Sequence, residues 1–161
     1  HAERDQVIIE VEQRLAAPVV LAGMRTRLTY TVHADGHVDV AVTATAYGDY
    51  HDIIPRRGLS FTIPRDCRQV AWYGHGPGEN YPDSLAANPV GVWTNDVDAM
   101  FTPYVMPQDC ANHEGTRWVT FRDGNGNGVM VTRTAPAMVS PRRSPSPRGR
   151  TAALISTKPS M

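Results

Sequence analysis

The chain has 161 residues, of which 41% are hydrophobic, 20% charged and 7% aromatic. This length predicts one domain, or one domain with a tail, and it excludes a complete (β/α)₈ barrel of about 250 residues. The 16 basic and 16 acidic residues cancel. Because nucleic-acid binding needs clustered positive charge, we expect no nucleic-acid partner for the body of the chain.

Charge and composition change abruptly near residue 134. Residues 1–134 contain all 16 acidic residues and 11 arginines, whereas residues 135–161 contain four arginines, one lysine and no acid. The second segment is also rich in Pro and Ser and contains no aromatic residue. We therefore predict a folded body over residues 1–134 and a basic, irregular C-terminal tail over residues 135–161.

Targeting signals are not apparent in the sequence. No apolar run approaches the 18 or so residues of a membrane span, and no signal-peptide pattern opens the chain. Cys67 and Cys110 are too few for a disulfide framework. We therefore expect a cytoplasmic protein without a membrane partner. Because the first residue is His1 rather than Met, we also expect the chain to begin inside a longer polypeptide or after processing.

Alternating apolar residues predict strands in the first third of the chain. The first predicted strand is Gln6–Arg14, with its apolar residues at every second position. A β-hairpin is predicted next, with Leu28–Val32 and Val38–Ala44 as its strands. Asp35 and Gly36 lie between them, and this dipeptide is typical of a type I′ turn.

The remaining strands are short and separated by Gly and Pro. We predict strands at Gly58–Ile63 and Gln69–Tyr73, and a second hairpin formed by Trp118–Arg122 and Val129–Arg133. Between them, Gly74–Ala111 is predicted to be a long irregular loop with several aromatic residues, which suits either an interface or a self-packed loop. The whole pattern predicts an all-β fold with an antiparallel sheet or sandwich.

Motifs that resemble catalytic or metal sites are incomplete. Asp123–Gly128 resembles the start of a calcium loop, but the twelfth position is Thr134 instead of a carboxylate, which favours a hairpin turn. The six histidines have no zinc-site spacing. Glu79 and Asp83 share the aromatic loop, as a glycosidase pair would, but in a proline-rich turn the side chains of Glu79, Asn80 and Asp83 more often accept backbone hydrogen bonds. We therefore predict no catalytic, cofactor-binding or metal-ligating residue.

One longer string is far more specific than these fragments. Val70–Ser84 reads VAWYGHGPGENYPDS, and it resembles the W-x-G-x-G-P-x-E-N-Y-x-D signature of glycoside hydrolase family two β-galactosidases, in their C-terminal small-chain domain. Phe101–Asp109 is similar to the family's Y-x-x-Y-V-x-P-Q-E, and Gly115–Trp118 to its G-x-R-W. Upstream, Ile54–Phe61 resembles its P-R-I/V-G-L-x-F strand. The resemblance extends from about Val7 to Val131.

This resemblance implies a partial β-sandwich of the galactose mutarotase-like supersandwich type. It implies an enzyme that hydrolyses terminal non-reducing β-D-galactose residues, as in lactose catabolism, with retention of configuration. The catalytic glutamates of such enzymes lie in a separate barrel domain, so Glu79 is expected to be structural. The region would act as a scaffold and pocket wall, with the barrel and other enzyme copies as partners. Magnesium and sodium ions would bind to other domains.

Two alternatives stay open at this point. The chain resembles a fragment, but a free-standing carbohydrate-binding or mutarotase-like module would also use an aromatic loop. The tail departs from the family, which continues with F-S-A-x-x-Y-T and then D-L-x-x-A-x-H. A reading frame shifted by two bases would permit the second pattern over Leu154–Met161. Residues 135–161 are therefore either an authentic tail or a frameshifted remnant.

Overall fold

A computed structural model describes residues 2–3, 5–19, 21–48, 58–106 and 108–133. These residues form eight strands and two short 3₁₀ turns, Leu85–Ala87 and Asp98–Met100. The strands are β1 (Ala2–Glu3), β2 (Gln6–Ala16), β3 (Gly23–His33), β4 (Val38–Tyr47), β5 (Gln69–His75), β6 (Val90–Asp96), β7 (Trp118–Arg122) and β8 (Gly128–Thr132). All pairings are antiparallel, which confirms the predicted all-β fold class. Within these ranges, no helix is long and apolar enough to cross a membrane.

The strands form two four-stranded sheets, each in its own compact unit. The first sheet has the order β1-β2-β3-β4, and the second has the order β6-β5-β7-β8. The predicted tail, residues 135–161, lies outside the described residues, as does the first part of the Ile54–Phe61 motif.

The first sheet contains long, regular strands. The apolar residues of β2, β3 and β4 lie opposite one another on one face, as the alternation predicts: Val7, Val32 and Val38; Ile9, Tyr30 and Val40; Val11, Leu28 and Val42. Leu28 is buried, but Val7 and Ile9 keep 46% and 48% of their surface exposed. Ladder hydrogen bonds, more than side-chain burial, therefore define this sheet.

The turn between β3 and β4 differs from the prediction. The backbone N–H of Gly36 donates to the carbonyl of His33, and that of His33 donates to the carbonyl of His37. Gly36 has a φ of 87°, but Asp35 is not among the residues with positive φ. The prediction of a type I′ turn is therefore wrong, and the loop fits a type I turn followed by a glycine in the left-handed conformation. Asp35 stabilises this turn by accepting the N–H of His37.

The second sheet carries a compact apolar core. Its buried members are Cys67, Val70, Trp72, Val119 and Phe121. Partly buried side chains pack around them: Ile63, Trp93, Val97, Met100 and Val131. The register places Trp72 between Trp93 of β6 and Val119 of β7 on the same face, which explains why its large side chain is almost fully buried.

Two predictions about this unit are wrong. Gly58–Ile63 pairs with no described strand; it precedes Pro64, and Phe61 is about half exposed. Gly74–Ala111 is not wholly irregular, because it contains β6. In β6 the larger aliphatic residues, Val90 and Val92, are exposed, whereas Gly91 and Trp93 lie on the opposite face. Because the aliphatic residues of β6 lie on its exposed face, the alternation of apolar residues does not reveal this strand.

Candidate functional site

The signature loop, residues 76–84, follows β5. Two glycines near its start, Gly74 and Gly76, pack closely against other segments of the chain. A Cβ atom on Gly74 would lie 2.8 Å from the Cα of Thr116, and one on Gly76 would lie 2.5 Å from the indole of Trp93. Neither position has room for a side chain, since Cβ contacts below 3.0 Å are essentially never observed. The glycines of the W-x-G-x-G string therefore allow the loop to pack against two other segments.

Asn80 lies at the centre of this loop and is completely buried. Its side-chain oxygen accepts the backbone N–H of Glu114 at 2.8 Å, and its Nδ2 donates to the carbonyl of Gly78 at 2.9 Å. Its backbone N–H donates to the carbonyl of Asn112, whose side chain donates back to the Asn80 carbonyl at 2.7 Å. Asn80 therefore joins the signature loop to the segment 112–114.

Glu79 makes a second connection between the same segments. One carboxylate oxygen accepts the hydroxyl of Tyr104, and the other accepts the backbone N–H of Ala111 at 2.6 Å. The hydrogen bond to Glu79 raises the pKa of Tyr104, so the proton stays on the phenol. Ala111 has a φ of 61°, a left-handed conformation that costs a non-glycine residue about 1 kcal/mol. Glu79 holds this residue in place.

Trp72 and His75, both in β5, lie next to His113 of the segment 111–118. The indole N–H of Trp72 donates to the carbonyl of His75 at 3.0 Å, and the His113 ring lies 4.2 Å from the Trp72 ring, centre to centre. The same carbonyl is 3.3 Å from Nδ1 of His113. Burial lowers the pKa of His113. The imidazole is therefore favoured in its neutral form between the aromatic core and the polar network.

The end of the signature is a tight turn. The hydroxyl of Ser84 accepts the backbone N–H of Tyr81 at 2.9 Å and donates to its carbonyl at 3.2 Å. The Tyr81 hydroxyl donates to the carbonyl of Asp109 at 3.0 Å. Burial raises the pKa of Tyr81. The predicted backbone-binding role is thus confirmed for Glu79 and Asn80, whereas Asp83 has no hydrogen bond to another residue of the described ranges.

A cleft of 170 Å³ lies beside this network. Apolar residues of the sheet form one part of its lining, including Trp72, Val119 and Phe121, and the segment 111–118 forms the other part. The sequence reveals the motif Gly115–Trp118, but it does not predict the hydrogen bonds between Asn80 and residues 112–114. That contact depends on residues more than 30 positions apart, and the only signal for it is the buried polar character of an E-N-Y string.

The remaining polar motifs of the sequence are hairpin turns. The Asp123 carboxylate accepts the backbone N–H groups of Asn125 and Asn127, and Gly126 has a φ of 85°. This confirms the predicted hairpin turn at Asp123–Gly128. Among the described residues, no three His, Cys, Asp or Glu side chains converge in a group suited to a metal ion.

The fold and these loop contacts define an antiparallel all-β protein in which aromatic packing and hydrogen bonds of asparagine side chains hold the loops together. Residues 1–147 match the family described as "Beta galactosidase small chain". The chain is 44% identical over 95 residues to a β-galactosidase of Photobacterium profundum, covering 56% of this chain and 9% of the relative. It is 36% identical over 110 residues to a β-galactosidase of Halalkalibacterium halodurans, covering 67% of this chain and 11% of that enzyme.

A further relative covers more of the chain. The chain is 34% identical over 127 residues to a β-galactosidase of Priestia megaterium, covering 79% of this chain and 12% of the enzyme. The chain therefore belongs to the β-galactosidase small-chain family, which confirms the resemblance seen in the sequence. It spans about a tenth of the length of the curated relatives that it matches.

Proposed function

We propose that this chain is the C-terminal sandwich region of a glycoside hydrolase family two β-galactosidase. The complete enzyme hydrolyses terminal non-reducing β-D-galactose residues, with retention of configuration, in cytoplasmic lactose catabolism. Such a reaction needs an acid and a nucleophile about 5–5.5 Å apart. We place both on the barrel domain of the enzyme, together with its magnesium and sodium ions. The region described here acts as a scaffold and as part of the sugar pocket wall.

The bonding of Glu79 carries this proposal. A catalytic carboxylate must exchange a proton or attack the sugar, so it needs an oxygen that faces the substrate. Both oxygens of Glu79 are instead engaged, one by Tyr104 and one by the backbone of Ala111. Its neighbour Asn80 is completely buried and bonded to the same segment. Both residues suit a rigid wall that supports chemistry performed elsewhere.

The scaffold role is tested in a chimeric enzyme. Residues 1–133 would replace the corresponding region of the Priestia megaterium β-galactosidase, which aligns with this chain over 127 residues, in a host without its own β-galactosidase. We expect the chimera to hydrolyse 4-nitrophenyl β-D-galactoside, and Asn80→Ala to reduce its kcat/KM by about tenfold or more through loss of loop order. Asn127→Ala, in an exposed turn, is the matched control and should leave the rate unchanged. An inactive but folded chimera would contradict the scaffold role.

The absence of catalytic residues is tested separately with the purified chain. The chain alone should not hydrolyse the chromogenic galactoside above the rate of a mock purification from the same host. Hydrolysis that follows the chain through purification would contradict the proposal, whether or not Glu79→Gln removes it. If the substitution did remove it, Glu79 itself would be identified as a catalytic residue.

The free-standing sugar-binding module remains the second candidate, and the cleft favours it. Trp118 lines this cleft together with His113 and Arg117, a combination of aromatic and polar groups that suits a sugar ring. Titration of the chain with galactose, followed by tryptophan fluorescence, separates the two functions. A pocket-wall fragment gives no saturable change, whereas a complete sugar-binding module does.

A further inference from the structure

Two arginines of the first sheet lie directly opposite each other and have no acidic partner among the described residues. Arg14 of β2 and Arg25 of β3 are paired in the ladder. Their guanidinium carbons lie 4.8 Å and 5.4 Å from the centre of the Tyr47 ring, and Nε of Arg14 donates to the Tyr47 hydroxyl at 2.6 Å. Like charges at directly opposed positions destabilise a sheet. The Tyr47 ring therefore holds together two cations that otherwise repel each other.

The neighbouring arginine on the same face is different. Arg27 is paired with Glu12 in the ladder. The Glu12 carboxylate accepts hydrogen bonds from Nε of Arg27 at 3.0 Å and from Nη2 of Arg27 at 2.5 Å. Among the described residues, no ion pair involves Arg14 or Arg25. The positive charge of this face is therefore balanced at Arg27 and unbalanced at Arg14 and Arg25.

A groove follows these side chains and adds neutral donors. Its volume is 650 Å³, and its lining includes Arg14, Arg25, Thr43 and Thr45 together with the ion pair of Arg27 and Glu12. Thr45 of β4 is the ladder partner of Arg25, so three adjacent strands contribute to one place. Two planar guanidinium groups with a nearby hydroxyl form a donor set that matches the oxygen atoms of a phosphate group.

We propose that Arg14, Arg25 and Thr45 bind one phosphate-type oxyanion, either free or as a monoester, on the face of the first sheet that carries Tyr47. The bound anion neutralises the opposed arginines and accepts hydrogen bonds from both guanidinium groups. Tyr47 orients Arg14 through its hydroxyl and both arginines through its ring. This site is separate from the cleft of the second unit, and it does not depend on the proposed hydrolase function.

The test is calorimetric titration of the full chain with sodium phosphate, at an ionic strength held constant with sodium chloride. We expect saturable binding with one site. Arg25→Gln should weaken this binding by at least about tenfold, because charge-assisted hydrogen bonds are lost. Glu12→Gln combined with Arg27→Gln is the matched control: it removes one arginine from the same face together with its acidic partner, so the net charge and the proposed donors are unchanged and the affinity should stay within about twofold.

A second variant and two further ligands complete the test. Arg14→Gln should weaken binding as Arg25→Gln does, and far-UV circular dichroism establishes that each variant keeps its strands; if one variant unfolds, the other decides. Phenyl phosphate in place of inorganic phosphate distinguishes a monoester site from a free-phosphate site. Absence of saturable phosphate binding would overturn the proposal. An equal loss in the double variant of Glu12 and Arg27 would also overturn it, as would tighter binding of acetate than of phosphate.

Discussion

The two sheets differ in how strand length relates to packing. In the first sheet, β2, β3 and β4 have 10 or 11 residues each, yet Val7 and Ile9 on the apolar face remain about half exposed. In the second sheet the strands have five or seven residues, but Val70 and Trp72 are 3% and 2% exposed. Long ladders define register, whereas the buried side chains of the second sheet supply hydrophobic stabilisation.

The loops extend this difference. In the second unit, Glu79 and Asn80 connect two segments of irregular chain through backbone N–H groups that would otherwise be unsatisfied. In the first unit, the polar bonds are exposed cross-strand pairs such as Arg27 with Glu12. Exposed pairs contribute little, since water competes for both partners. We therefore expect substitutions in the second unit to have the larger effects.

Truncation of one large side chain in each sheet tests this comparison most strongly. Trp72→Ala should lower the free energy of unfolding of the second unit by about 3–5 kcal/mol, because it leaves a cavity and removes an indole hydrogen bond. Ile9→Ala in the first sheet should cost only about 1 kcal/mol, because half of its surface is already in water. Urea denaturation followed by circular dichroism measures both. Equal losses would show that the two sheets are stabilised alike.

Asn80→Ala isolates the contribution of the loop network. The substitution leaves the backbone N–H of Glu114 buried and without its acceptor, so we expect a loss of about 2–3 kcal/mol. Tryptophan fluorescence is the appropriate signal, because Trp72, Trp93 and Trp118 all lie in the second unit. Asn127→Ala serves as the exposed control and should change stability by no more than about 0.5 kcal/mol.

Thr26→Val is predicted to stabilise the first sheet. The Thr26 hydroxyl is buried and, among the described residues, has no hydrogen-bond partner. Replacement by a methyl group of similar shape removes this penalty and should raise the free energy of unfolding by about 1 kcal/mol. Thr43→Val, at an exposed position of β4, is the control and should have almost no effect. A destabilised Thr26→Val chain would indicate that the hydroxyl has a partner in solution.

A gradual pH dependence is the smallest effect that we predict. Burial lowers the pKa of His113 from its usual 6.5, so the unfolded chain binds this proton more readily than the folded chain. Stability should therefore decrease as the pH falls from 6.5 towards the lowered pKa, and recover as the pH rises again. The urea midpoint of the second unit, followed by tryptophan fluorescence, measures this change. His113→Gln should flatten the profile, and an unchanged slope in that variant would contradict the assignment.

Much of the fold could be predicted because the alternation of apolar and polar residues indicates which side chains share one face of a strand. The strands β2 to β5, β7 and β8 all have apolar residues at every second position on one face. Gly58–Ile63 has the same pattern, but strand formation also needs a pairing partner, which no local pattern specifies. β6 was missed for the opposite reason, since Gly91 faces the side on which Trp93 packs. A glycine on the inner face breaks the apolar alternation.

The site was predictable only in part. The string around Glu79 and Asn80 identifies the family, and the expectation that these residues bind backbone donors is confirmed. Their partners, Ala111 and Glu114, are more than 30 residues away, and only the folded chain brings them together. The left-handed Ala111 has no sequence signal, because alanine does not favour that conformation.

The close contact between Gly76 and Trp93 joins a residue of the signature string to a residue of β6 outside it. The glycine is required because an indole occupies the space where its side chain would be. A relative with a smaller residue at position 93 would no longer need glycine at position 76, so the two positions should change together during evolution. A double-mutant cycle would measure this dependence as a coupling energy, with Gly76→Ala costing less when Trp93 is replaced by leucine.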